Sequence, residues 1–108
     1  MSRITEDRMS EALAYLCDTD ESCAELKTNV ERADYRVDAI KDAIFLRSEG
    51  GVAVREAIAK THPEYVAAKE KYFDALQKHE AMRNRRNTEN IVFECWRSLF
   101  SGMKKGMM

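Results

Sequence analysis

Residues 61–101 read THPEYVAAKE KYFDALQKHE AMRNRRNTEN IVFECWRSLF S, and the reading of this stretch decides the fold. After Pro63 it contains neither Gly nor Pro until the Ser101-Gly102 step. Thr61 or His62 can cap a helix here, and Pro63 suits its first position, where a missing N–H costs nothing. Tyr65, Ala68, Tyr72, Ala75, His79, Met82, Arg86, Glu89, Phe93, Trp96 and Phe100 then recur at alternating steps of three and four. That period traces one helical face. It predicts a helix over residues 63–100, about 60 Å long at about 1.5 Å per residue. Val66, Phe73 and Leu76 thicken its first half. His79, Arg86 and Glu89 form a polar waist, after which Ile91, Val92, Phe93, Trp96, Leu99 and Phe100 make the face intensely apolar.

Such a face needs a neighbour, and the residues upstream supply one. Cys23, Leu26, Val30, Ala33, Val37, Ile40 and Ile44 form an unbroken heptad seam, predicting a helix over about 20–48. Ala39, Ala43 and Phe45 widen it at the far end, where more than one neighbour must be met. Ser48-Glu49-Gly50-Gly51 stops it, with Gly supplying a left-handed C-cap. Residues 52–60 predict a short tip helix with Val52, Val54 or Arg55, and Ile58 turned inward. Ahead of the seam, Ile4, Met9, Leu13 and Leu16 mark an amphipathic helix over 4–17. Asp18-Thr19-Asp20-Glu21 interrupts it as a turn or a kink: Asp18 and Glu21 have capping-box spacing, and Thr19 and Asp20 are good N-caps. Residues 101–108 read as a frayed tail. The expected fold is a single all-α domain, a long antiparallel, coiled-coil-like helical hairpin with a short tip helix and an N-terminal helix.

Pairing the long helices around the tip sets Ile44 near Ala68, Val37 near Ala75 and Leu26 near Arg86. The middle helix then ends short of Phe93, Trp96 and Phe100. Left in water, such side chains forgo roughly 1.5–3 kcal/mol each. Either the N-terminal helix covers them through Met9, Leu13 and Leu16, or a second copy of the chain does. Phe93, Trp96, Arg97 and Phe100, with Leu13 and Leu16, are therefore the candidate partner or dimer interface, Trp and Arg being enriched where binding energy concentrates.

With 44% hydrophobic and 34% charged residues, one Pro and four Gly in 108 positions, the chain is too apolar for disorder and too poor in turn residues for a sheet protein. Its net charge of −1 hides an asymmetry. Residues 1–49 carry seven Lys/Arg against twelve Asp/Glu, residues 50–77 four of each, and residues 78–108 seven against three. An acidic and a basic helix attract when packed antiparallel; alternatively, the basic end meets phosphate or an acidic protein. The candidate nucleic-acid contacts are Lys78, Arg83, Arg86, Arg97, Lys104 and Lys105. Arg83 and Arg86 share a side, Arg85 turns away, and Arg86 can instead pair with Glu25 or Glu89. Asp18, Asp20, Glu21, Asp34, Asp38 and Asp42 form an acidic face that is a candidate surface of its own.

No P-loop, nucleophile elbow or Gly-rich fingerprint is present. A Glu-x-x-His metal site of the kind helical bundles hold is missing, because Leu76 and Ala59 stand where Glu would precede His79 and His62. Neither catalysis nor a cofactor is expected. His79 lies in the seam, either bonded to a neighbour such as Asp34 or Tyr35 or serving as a pH sensor or ligand. Cys17, Cys23 and Cys95 lack metal-ligand spacing and read as buried thiols. With no apolar leader and no membrane-spanning window, a soluble intracellular protein is expected.

Three segments together carry a resemblance. Arg47-Ser-Glu-Gly-Gly-Val-Ala-Val-Arg-Glu-Ala57 resembles a Ser-Glu-Gly-Thr-Val-Ala-x-Arg-Glu-Ala signature, Glu64-Tyr65 follows at a similar distance, and Glu94-Cys-Trp-Arg-Ser-Leu99 resembles a Glu-x-Trp-Arg-Ser-Leu ending. With Leu13-Ala-Tyr-Leu16 and Asp20-Glu21, the chain resembles a family of small helical proteins encoded by bacteriophages and prophages. It departs from the pattern at Gly51, where Thr would cap the short helix, and in ending Met-Lys-Lys-Gly instead of an Arg-rich tail. The resemblance implies a non-enzymatic accessory protein that acts by binding: a recombination or replication accessory, or an inhibitor of a host defence complex of nuclease or CRISPR type. Its partners would be phage or host proteins, with a homodimer or nucleic acid as alternatives and no membrane.

Overall fold

Thr5 begins the first helix. Its hydroxyl accepts from the Arg8 amide at 3.1 Å, satisfying one of the amides that a helix start leaves open, and its carbonyl accepts the first helical bond, from the Met9 amide at 3.0 Å. From there α1 (Glu6–Arg47), α2 (Val52–Thr61) and α3 (Pro63–Gly106) follow. The computed structural model describes residues 4–106, and side chains only as far as Gly102. Among the described residues every element is helical, and the fold is an all-α helical hairpin closed by α2.

The predicted interruption at residues 18–20 does not occur, because α1 passes through it unbroken. The Thr19 hydroxyl donates to its own helix at the Tyr15 carbonyl (2.7 Å) instead of capping a new one. Asp18, Asp20 and Glu21 are exposed, so all three tolerate helical backbone. The seam explains why continuity wins. Ala12, Leu16 and Thr19 lead into Cys23 at steps of four, three and four, all at least half-buried. A turn at Asp18 would have broken that period. The expected separate N-terminal helix is thus the first part of α1, and α1 (42 residues) matches α3 (44 residues) closely. The predicted fraying from Ser101 is also absent, since α3 continues to Gly106; residues 107 and 108 lie outside the described residues.

The chain forms two compact units: residues up to Ala24 with those from Glu80 on, and Glu25–His79. In the second unit Val37, Ile44, Ala59 and Ala68 are buried. Ile44 with Ala68, and Val37 with the half-buried Ala75, are pairs that residue counting set opposite each other. At the tip, the Ser48 hydroxyl donates to the Ile44 carbonyl (2.6 Å) as α1 ends. Gly50 makes the turn with φ +113°, and a Cβ there would stand 3.3 Å from Val54 Cγ1, so glycine serves both backbone and space.

Of the predicted inner side of α2, only Arg55, the alternative to Val54, faces inward. Val52, Val54 and Ile58 are exposed, while Ala59 is buried and Arg55 half-buried. Arg55 decides the orientation. Its guanidinium lies 4.2 Å from the Phe45 ring centroid and its Nε donates to the Phe45 carbonyl at 3.0 Å. The free carbonyls at the end of α1 favour a cation there. His62 caps α3: its Nδ1 accepts from the Glu64 amide at 3.1 Å, and its carbonyl accepts from the Val66 amide. Thr61, the alternative cap, bonds back to Ala57.

Replacing Ile44 by Ala should cost about 2–5 kcal/mol through lost burial and a cavity. Leu46→Ala, at a position 75% exposed, should change stability by under about 0.5 kcal/mol. Urea denaturation of both variants checks this, and equal losses would contradict the placement of the seam.

Candidate functional site

The first unit contains most of the candidate residues, and arginines join its two helices. Arg8 on α1 grips Glu89 on α3 with both guanidinium arms, at 2.6 and 3.0 Å. Glu89 is only 6% exposed although it occupies a seam position. The hydrogen bonds from Arg8 hold its carboxyl below the usual carboxylate range; burial opposes this, and the nearby charges of Arg8 and Arg85 assist it. Arg86 donates to the Leu16 carbonyl (2.8 Å) and the Thr19 hydroxyl (2.6 Å), and it pairs with Asp20. The Arg85 guanidinium stacks 4.1 Å from the centroid of the Tyr15 ring.

These contacts replace the expected pairing of Arg86 with Glu89: Arg86 pairs with Asp20, and Glu89 belongs to Arg8. A residue count from the tip locates backbones, whereas an arginine head reaches well along its neighbour. The pairing with Arg8 also depends on α1 running unbroken from Glu6.

Of the predicted interface, Leu16, Phe93 and Trp96 are half-buried in this unit. Trp96 stacks on Phe100 at 5.3 Å between centroids with a 12° tilt. Phe100 is 51% exposed and Leu13 44%. Arg97 is exposed and binds Glu94 of its own helix at 2.7 Å. Sequence reasoning missed the outward stripe beside them. Ile91 (61% exposed), the exposed Cys95 and Leu99 (51%) follow one another at steps of four along α3. With Asn90, Glu94 and Ser98 at its edges, the stripe lines a shallow open furrow. The available signal was that the seam takes Phe93, Trp96 and Phe100, leaving 91, 95 and 99 to face away.

Among the described residues the predicted phosphate contacts of the first unit each have an acidic neighbour. Arg83 lies 3.6 Å from Glu80, Arg97 is held by Glu94, and the Arg86 side chain is only 21% exposed. Lys78 is exposed and belongs to the other unit, while the side chains of Lys104 and Lys105 lie outside the described residues. The acidic residues divide likewise. Asp18, Asp20 and Glu21 are exposed in the first unit, with Asp20 bound to Arg86, and Asp34, Asp38 and Asp42 form an exposed row on α1 in the second.

Cys17 and Cys95 are exposed and Cys23 is half-buried, all three as free thiols, so the expectation of buried thiols fails. His79 is half-buried in the seam of the second unit. Among the described residues no group of His, Cys, Asp and Glu side chains is placed to hold a metal ion, and no helix is long and apolar enough to cross a membrane. Compared with models of protein families, with curated proteins and with solved structures, the chain matches none.

Thr19→Val keeps the shape of the side chain but removes the hydroxyl that serves Tyr15 and Arg86, and should cost about 1 kcal/mol in chemical denaturation. The Glu89 contribution has a definite sign. Its pKa is lower folded than unfolded, so the stabilisation is fully present above the usual carboxylate range and is lost as pH falls through the lowered value. The stability gap between wild type and Glu89→Gln should therefore shrink on acidification; a constant gap would show that Glu89 is not ionised in the fold.

Proposed function

We propose that this chain is a non-enzymatic accessory protein that binds another protein through the α3 part of its first unit. The observation that supports this reading is the outward stripe Ile91–Cys95–Leu99, which exposes apolar side chains outside the seam, with the seam residue Phe100 itself 51% exposed. Contiguous exposed apolar surface marks binding sites more often than scattered residues do. The neighbouring Trp96 and Arg97 are of the types that dominate binding energy. The resemblance to phage-encoded helical proteins suggests the class of partner: a recombination or replication protein, or a host defence complex of nuclease or CRISPR type, met in the bacterial cytoplasm. A second copy of the chain is the alternative occupant.

Capture from phage-infected host cells tests the reading. Ile91→Asp with Leu99→Asp should abolish capture of a protein that the wild type retains. Both positions are exposed, so stability should move by no more than about 0.5 kcal/mol. Undiminished capture by the double variant would remove the stripe from consideration. Sedimentation of the same pair identifies a homodimer, which the double variant should dissociate.

Nucleic-acid binding is the second reading, favoured by the basic balance of residues 78–108. Titration of labelled single- and double-stranded DNA at two salt concentrations decides it, because phosphate contacts are strongest at low salt.

A further inference from the structure

The two units are held together by different physics. The second buries Val37, Ile44, Ala59 and Ala68, and α2 closes it at one end through Arg55. In the first, the buried residues are Ala12 and the charged Glu89. Its described hydrogen bonds and cation–ring contacts between helices run from guanidinium groups: Arg8 to Glu89; Arg86 to Leu16, Thr19 and Asp20; and Arg85 to Tyr15. Such contacts exchange one set of hydrogen bonds for another with water, so each contributes little net stability, and a desolvated ion pair is weak evidence for stability. Removing one partner, by contrast, leaves the other uncompensated. The connection through α2 belongs to the second unit.

We infer that the first unit is a latched helix pair that opens while the second unit stays folded, with Arg8–Glu89 and Arg86–Thr19/Asp20 as the latch. Opening would bring the half-buried Leu16, Phe93 and Trp96 to solvent beside the already exposed Leu13, Ile91, Leu99 and Phe100. The unit thus carries a small apolar surface when latched and a larger one when open. The charged groups that face the Arg8–Glu89 pair are Glu11 on α1 and Arg85 on α3, and Arg86 faces the Asp20 carboxylate. Apart from Glu11 and Asp20 these are arginines, which stay charged, so charge screening by salt weakens the latch together with loss of the Glu89 charge.

Hydrogen exchange of the full chain, read by mass spectrometry and corrected for intrinsic rates, tests this. Amides of residues 10–20 and 84–94 should exchange about tenfold or more faster than those of residues 35–44 and 68–76, through opening events that leave the latter protected. Glu89→Gln should raise the first set by about a further tenfold and leave the second unchanged. Thr19→Val, a milder lesion, should shift the same amides in the same direction by a smaller factor. Equal exchange in the two sets, or a Glu89→Gln effect spread evenly over both, would overturn the inference and make the chain one cooperative unit.

Discussion

Lateral burial of a single seam is the constraint on which this fold depends. Neither α1 nor α3 is a helix that water alone would maintain, because helical stability in proteins comes mainly from packing an apolar face. Each has one narrow stripe at alternating steps of three and four, with charged or polar residues around most of the remainder. Within each unit, α1 and α3 supply that burial to each other. No further helical layer is described, so full burial is confined to a few positions such as Ala12, Val37, Ile44 and Ala68, and most seam residues are half-buried. In a two-helix arrangement the covered face is narrow by geometry, and any apolar residue placed off the seam must meet solvent.

The polar waist follows from the same constraint. Arg86 and Glu89 occupy seam positions where an apolar side chain would pack more simply. Each is made compatible by a partner from α1: Glu89 by the fork of Arg8, and Arg86 by the Leu16 carbonyl, the Thr19 hydroxyl and Asp20. Directional bonds of this sort fix register, which a uniform apolar seam leaves open to slippage by a heptad. They also require α1 to be unbroken, since Arg8 and Asp20 must lie on one rigid helix to meet two seam residues of α3 that are three positions apart. The waist therefore ties together the continuity of α1, the register of the pair and the weak apolar core of the first unit.

Much of this was legible in the sequence. The period of α3, the heptad seam up to Ile44, the stop at Ser48-Glu49-Gly50-Gly51 and the cap before Pro63 all rest on signals that local chemistry and tertiary packing share. The errors arose where those two disagree. Asp18, Thr19 and Asp20 have the chemistry of caps, yet the same short polar side chains are tolerated on a helix whose seam continues through Ala12, Leu16, Thr19 and Cys23. Taking the period as stronger than the cap would have given α1 whole. The inner face of α2 was obscured because three valine and isoleucine residues compete with Ala59, and the decision falls to Arg55 and a carbonyl ten residues away. The Arg8–Glu89 pair spans 81 residues and becomes visible only when α1 is continuous. The outer stripe at Ile91, Cys95 and Leu99 was hidden inside an apolar run that looked like core.

The stripe and the cations are rival candidate surfaces, and they differ in what would have to be given up on binding. To meet a phosphate, Arg83 and Arg97 must each leave a carboxylate three positions earlier on the same helix, and Arg86 must leave three partners on α1. Releasing Arg86 would also loosen the register of the unit. Covering Ile91, Cys95 and Leu99 breaks nothing, because these side chains are already turned outward, and it removes apolar area from water at roughly 25 cal/mol per Å². Exposed ion pairs are weak enough that Arg83 and Arg97 do not rule out phosphate. Arg86 is the discriminating residue, since its guanidinium is committed to the fold while the apolar stripe stands free of it. That asymmetry favours a protein surface over a nucleic-acid backbone as what this end of the chain meets.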